Sequence, residues 1–256
     1  MGAMARFDGK TMIVTGASAG IGAALARRLG REGAVVHLAA RRRDRLEEHV
    51  AAIRSEGGRA ESHACDIADA GSVADLFAAV TADGTGVDAV VNTAAVLWLE
   101  PFATQTEEHW REILEINLHG AIRVTQHALA HMLPRKTGHV VHVTSTAATL
   151  AIPHLSIYST TKAALAHFMT AMRGEYGRAG VRFTELQIGN TNETEGGGAV
   201  RQNITAESMN SVLRWTGLPS MLELGDVVDA ATWALSTPPH VRLDRIVIRE
   251  LAEIPT

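Results

Sequence analysis

Short apolar runs alternate with longer amphipathic stretches along almost the whole chain. Thr11–Val14 predicts a strand, followed by a glycine-rich turn and a helix over Ile21–Gly30, where Ile21, Leu25 and Leu29 recur at spacing four. The same alternation predicts a strand at Val35–Ala39, then a helix at Asp44–Glu56 stopped by Gly57-Gly58. Ala60–Cys65 reads as a strand, Ser72–Ala82 as a helix capped by Ser72, and Ala89–Asn92 as a buried strand. Thr106–Leu133 predicts one long helix, with Thr106 at its N-cap and Pro134 at its end. Strands at His139–Val143, Arg182–Leu186 and Arg245–Ile248 bracket helices at Ser156–Arg178 and Leu222–Ser236. About seven strands separated by helices imply an α/β protein with a parallel sheet covered on both faces. Right-handed crossovers make that sheet doubly wound. No repeat or linker divides the chain, so residues 1–256 are expected to form a single domain. Asn190–Ser220 is polar and glycine-bearing, and a segment of that length is expected to be a lid over a substrate.

Composition narrows the function classes. Hydrophobic residues are 46% and charged residues 20%, a globular balance that excludes disorder as the main state. The net charge of −4 supplies no basic surface, so no nucleic-acid partner is expected. No apolar run is long enough to span a bilayer and the first residues lack a signal-peptide core, so no membrane partner is expected. The single cysteine, Cys65, cannot close an intramolecular disulfide and reads as a small buried residue; a cytoplasmic setting fits.

The first chemical signal is Thr15-Gly16-Ala17-Ser18-Ala19-Gly20-Ile21-Gly22, between the first strand and the first helix. Glycines there permit a tight turn and let backbone approach a pyrophosphate at the helix N-terminus, where free N–H groups and the helix dipole favour anions. Gly16, Ser18, Gly20, Ile21 and Gly22 are therefore candidate cofactor contacts. A site that prefers NAD carries an acid at the end of the second strand. Here Ala40 is followed by Arg41-Arg42-Arg43. An acid would repel a ribose 2′-phosphate, whereas an arginine can hold one with a planar fork. The pattern points to NADP, through Arg41 first and Arg42 second.

Tyr158 and Lys162 stand at i and i+4, on one face of the helix that follows the strand ending near Ser145. A lysine cation beside a phenol stabilises the phenolate, which makes the tyrosine a usable proton donor and acceptor. With this pair in place, the chain resembles the short-chain dehydrogenase/reductase family, of the typical single-domain, Rossmann-type, NADP-using branch. The resemblance rests on the glycine turn, Asp66, Asn92 in Asn92-Thr93-Ala94-Ala95, Asn117, Ser145 and Tyr158-x-x-x-Lys162, in that order. It implies that Ser145 bonds the substrate oxygen, Tyr158 transfers the proton, Lys162 binds the nicotinamide ribose and tunes Tyr158, and Asn117 holds a relay water. It further implies that Asp66 and Ile67 meet the adenine, and that Asn92 and Ala94 lie near the cofactor, with Asn92 supporting the central sheet. Ile188, Gly189 and Thr191 would contact the cofactor beyond the sixth strand. The sequence departs from the family pattern at Ala95, Ala148 and Ile188, and at Arg249-Glu250-Leu251, where glycines or a proline usually stand.

The expected activity is interconversion of a ketone or aldehyde with an alcohol, with reduction favoured, on a small-molecule substrate and with no metal. Two other readings stand beside it. One is an epimerase or dehydratase using the same Tyr–Lys pair, although such relatives usually carry a larger C-terminal substrate domain than follows Gly189. The other is a non-catalytic NADP(H)-sensing protein, which the presence of Tyr158 and Lys162 disfavours. Trp98, Met209, Val212 and Trp215 either line an apolar substrate pocket or pack the lid, and His154 either meets the substrate or is a surface loop residue. His127 and His131 share a helix face with no third metal ligand in view and read as a solvated or interface pair. The apolar content of Thr106–Leu133 and of the Tyr158 helix predicts a homodimer or homotetramer, as the resemblance also implies.

Overall fold

A computed structural model describes residues 5–192 and 221–251. Its strands are β1 (Thr11–Thr15), β2 (Val35–Ala40), β3 (Arg59–Ala64), β4 (Ala89–Asn92), β5 (Gly138–Ser145), β6 (Val181–Ile188) and β7 (Arg245–Ile248). They pair in parallel in the order β3-β2-β1-β4-β5-β6-β7. The order reverses between β1 and β4, and a sheet of this kind opens a crevice at that reversal, outside the carboxyl ends of its strands.

The helices are α1 (Gly20–Arg31), α2 (Arg43–Ser55), α3 (Ala70–Val80), α4 (Glu107–Leu114), α5 (Ala121–Met132), α6 (Ser156–Tyr176) and α7 (Leu224–Ser236). Alternation along the strands divides the core in two. Met12, Val14, Val36 and Leu38 pack with Leu25, Leu29, Leu46 and Ile53 of α1 and α2, and with Val227 and Ala231 of α7. Ile13 and Val90 face the other way, onto Leu76 and Phe77 of α3, Val124 and Met132 of α5, and Met169 of α6. Each fully buried large side chain contributes roughly 1.5–3 kcal/mol relative to exposure.

Most predicted boundaries move by one to three residues. Three differences are physical. First, α3 begins at Ala70 and is capped by Asp69, whose carboxylate accepts from Ser72 N at 2.6 Å. The Ser72 hydroxyl instead turns back to accept from Asp66 N. Second, the long helix runs without a break from Glu107 to Met132 with Thr106 as its cap, as expected, but its hydrogen bonding changes register in a π-helical turn over Glu115–Gly120, between α4 and α5. Third, His127 and His131 are half-buried and stacked on Phe77, with ring centroids 5.5 and 5.7 Å away, rather than solvated. His139 and His142 point to opposite sides of β5, His139 to Thr184 and His142 to Thr125, and burial drives both down to about 3.

The large apolar side chains left exposed among the described residues are Phe102, Met221, Trp233, Val247 and Leu251, none of them on α4, α5 or α6. No described helix is long and apolar enough to cross a membrane.

Candidate functional site

The crevice is built on the turn between β1 and α1. Gly16 has φ +72°, and a Cβ there would stand 2.7 Å from Ala94 N. A Cβ on Gly22 would lie 2.6 Å from Gly16 O and from Thr93 Oγ1. Only glycine lets the turn seat this closely against the chain leaving β4. The N-cap residue of α1, Ala19, supplies no capping side chain, and no acid stands in the first turn. Its leading N–H groups and positive dipole end therefore face the crevice uncompensated by the protein.

Every cofactor candidate from the first half of the chain except Asn92 lines this crevice: the turn residues Gly16, Ser18, Gly20, Ile21 and Gly22, the β2 tip at Arg41 and Arg42, and Asp66, Ile67 and Ala94 beyond β3 and β4. Asn92 is buried and fully engaged elsewhere. Its carbonyl accepts from the Thr15 hydroxyl and its amide donates to His142 Nδ1 at 3.2 Å, so it ties β1, β4 and β5 together beneath the crevice. His142 Nε2 completes this buried chain on Thr125 Oγ1 at 2.8 Å.

Ala95, expected near the cofactor, is in the lining, and sequence reasoning missed Ala19, Ala39, Cys65, Thr93, Val96 and Ile116 there. It also missed His49, whose Nε2 lies 3.3 Å from Ser18 O. A histidine on the otherwise apolar Leu46–Val50–Ile53 face of α2 was the available signal. Arg42 grips the same turn, donating from Nε and Nη2 to Ser18 Oγ at 3.2 and 3.1 Å, while Arg41 stands exposed at the rim. Asp66 is fixed by its own turn, with Oδ1 accepting from Ala68 N at 3.0 Å.

A second group of candidates, none of them in the crevice lining, lies at the end of β5. Ser145 Oγ accepts from Ala147 N at 3.1 Å, which orients the hydroxyl at the strand tip. Lys162 lies one turn beyond Tyr158 on α6. Its Nζ donates to Val143 O at 3.1 Å and sits 5.5 Å from the centroid of the Tyr158 ring. Burial pushes the Lys162 ammonium down to about 8, and the electron-rich ring face favours the cation. Tyr158 also packs beside Leu99, Ala147, Ile152 and Leu155, an apolar cluster next to the strand tip.

Asn117 occupies the π turn. Its Oδ1 accepts from Val96 N at 2.7 Å and its Nδ2 donates to Val96 O at 2.8 Å, with Thr161 Oγ1 of α6 at 3.4 Å. The side chain thus stitches the π turn to the segment leaving β4.

The remaining candidates are placed as follows. Gly189 N donates to Ile248 O at 2.9 Å and Ile188 pairs with Ile248, so these two run beside the end of β7, while Thr191 bridges to Leu222 and its Oγ1 donates to Gly189 O; none of the three is in the crevice lining. Trp98 packs onto α4, stacked on His109 at 3.4 Å with its indole N–H donating to Glu112 at 2.8 Å. His154 is held at φ +67° with Nδ1 buried and without a hydrogen-bond partner. Met209, Val212 and Trp215, with residues 193–220 of the expected lid, lie outside the described residues.

Among known proteins, a glycine betaine reductase of Emericella nidulans is 33% identical over 241 residues, which is 94% of this chain but only 19% of that much longer protein. A farnesol dehydrogenase of Aedes aegypti is 32% identical over 256 residues, 98% of this chain and 99% of the relative. The solved alcohol dehydrogenase of Thermococcus sibiricus, complexed with 5-hydroxy-NADP, superposes with a TM-score of 0.83 at 27% identity, covering 97% of this chain and 100% of that one. The family model for short chain dehydrogenase matches residues 10–205. Because that match takes in the crevice, the π turn and the whole of α6, this chain belongs to the short chain dehydrogenase family.

Proposed function

We propose that the protein is an NADP(H)-dependent oxidoreductase that interconverts a ketone or aldehyde with an alcohol, working as a carbonyl reductase. The observation that carries this reading is Lys162, a fully buried ammonium placed against the Tyr158 ring at the tip of β5. Desolvating a cation is costly, and no packing need of α6 calls for one. The crevice fits a dinucleotide: α1 opens on it without cap or acid, Arg41 and Arg42 flank it, and Ala40 presents no carboxylate. The farnesol and alcohol dehydrogenases named above support the alcohol–carbonyl pair, and the bound 5-hydroxy-NADP of the latter supports the cofactor.

When bound, NADPH supplies the hydride. The protein supplies orientation and the proton. Ser145 and Tyr158 offer two hydroxyls to the substrate oxygen, where negative charge builds during reduction, and hydrogen bonds aimed at developing charge lower the barrier. Tyr158 gives up its proton to that oxygen, and Lys162 stabilises the phenolate left behind. The Asn117 amide is committed to Val96, with Thr161 Oγ1 nearby, so its part in the site is first to fix the π turn beside the segment leaving β4, and only through that to position a relay water. Leu99, Ile152 and Leu155 give the substrate an apolar wall. The reading includes a homo-oligomer in the reducing cytoplasm, consistent with the lone, buried Cys65.

The test is NADPH oxidation against a panel of ketones and aldehydes, with wild type and Tyr158→Phe compared. The variant is expected to bind NADPH normally and to lose turnover. Equal turnover, or NADPH binding without turnover of any carbonyl by the wild type, overturns the assignment.

A further inference from the structure

At the β3 edge of the sheet, outside the crevice lining, β2 and β3 bring together a second group of chemically active side chains. Register pairs His37 with Glu61, and His63 follows Glu61 by two residues, so all three project on the same face. Their ligand atoms, one from each residue, lie within 4.8 Å of one another. His37 Nδ1 is 3.0 Å from His63 Nε2 and 3.9 Å from Glu61 Oε2. His37 is buried, His63 half-buried and Glu61 exposed, so the group opens to solvent on one side only.

We infer that His37, His63 and Glu61 form a binding site for a divalent transition-metal ion, zinc foremost, which pins the edge strand β3 to β2. Two imidazoles and one carboxylate are a zinc-type donor set, and the solvent side leaves room for a water as fourth ligand. At metal–ligand distances of about 2.0–2.1 Å, tetrahedral neighbours stand about 3.3–3.4 Å apart. The His37–His63 separation is therefore near that value already, and a rotation of the exposed Glu61 closes the third edge. Without metal, one imidazole donates its N–H to the other. Metal binding needs a lone pair on both nitrogens, so the donating ring moves that proton to its other nitrogen, and no net proton is released. The acid of Asp83, in the loop after α3, adds negative charge facing His37. The signal was present in the sequence as Glu61-Ser62-His63 on one strand and His37 on its neighbour, but only the register shows that they meet.

The site shares no residue with the crevice, so its test is independent of the proposed reaction. Untagged, chelator-treated full-length protein is titrated with Zn²⁺ by calorimetry and with Co²⁺ by visible absorption. One equivalent per chain is expected, with the intense bands of four-coordinate cobalt and a rise in melting temperature. His63→Gln and Glu61→Gln should each weaken binding by at least about tenfold while far-UV circular dichroism and NADPH binding stay unchanged. His127→Gln, which alters the i, i+4 histidine pair on α5, should leave binding unchanged. Absence of stoichiometric binding by the wild type, or wild-type affinity in His63→Gln, overturns the inference, as does loss of binding in His127→Gln alone.

Discussion

Replacing Lys162 by methionine separates what this residue costs the fold from what it does for the reaction. Its ammonium is fully buried, and desolvation lowers it from 10.5 to about 8. That drop corresponds to about 3 kcal/mol of native-state destabilisation at neutral pH. Methionine keeps the length of the apolar stem and removes the charge. It also removes the bond to Val143 O, and a charged donor contributes roughly 1.5–3 kcal/mol. The two changes nearly cancel near pH 7, so the variant should match or slightly exceed the wild type in stability. The pH dependence does not cancel. Below about pH 8 the wild type carries the full penalty in its native state. Between about pH 8 and 10.5 the unfolded lysine holds its proton while the native one releases it, so wild-type stability rises with pH relative to the variant. From about pH 7 to pH 10 the stability difference, variant minus wild type, should fall by about 2–3 kcal/mol. Urea unfolding of the two cofactor-free proteins, at one protein concentration and several pH values, measures this difference directly. Turnover should fall on the order of 10²–10⁴-fold, the range lost with acid–base function. Parallel stability curves across that pH range would show that Lys162 is not a desolvated cation, and the electrostatic account of the site would fall with it.

Three further outcomes are expected. Ser145→Ala should lower kcat/KM by about 30- to 900-fold, from the loss of roughly 2–4 kcal/mol of transition-state stabilisation; unchanged kinetics would remove Ser145 from the substrate oxygen. Asn117→Ala leaves Val96 N–H and C=O unpaired in a buried position, so urea unfolding should show a loss of roughly 2–4 kcal/mol together with reduced turnover, and wild-type stability would contradict the stitching role. Ala40→Asp with Arg41→Ala should turn cofactor preference toward NAD(H), because one change adds a ribose 2′-hydroxyl acceptor and the other removes a phosphate partner worth about 10- to 150-fold in affinity; kcat/KM for both cofactors reads it, and a wild type that already uses NADH as well as NADPH refutes it.

The amino-acid sequence by itself settled most of what depends on neighbours within a turn or two, the cap of α3 excepted, where Asp69 and not Ser72 takes the position. Strand and helix positions follow from hydrophobic period, and β4 and β7 begin and end where that period places them. The glycine turn and the Tyr158–Lys162 pair are legible for the same reason, since each is a local geometry between residues at most a few positions apart. Tertiary structure decided the rest. The π turn interrupts a stretch whose period is continuous, and it is secured by Asn117 bonding Val96, a contact across 21 positions that no local pattern encodes. Asn92 is chemically suited to line the crevice, yet pairing to Thr15 and His142 turns it into an internal tie between strands. The i, i+4 spacing shows that Lys162 neighbours Tyr158, but not that Lys162 is buried, because desolvation is set by atoms arriving from β5 and other distant segments. His37 and His63 meet only through strand register, and His49 and Arg42 reach Ser18 only once α2 packs beside α1. Periodicity records which face of an element is buried; it carries no information about which distant residue will be waiting there.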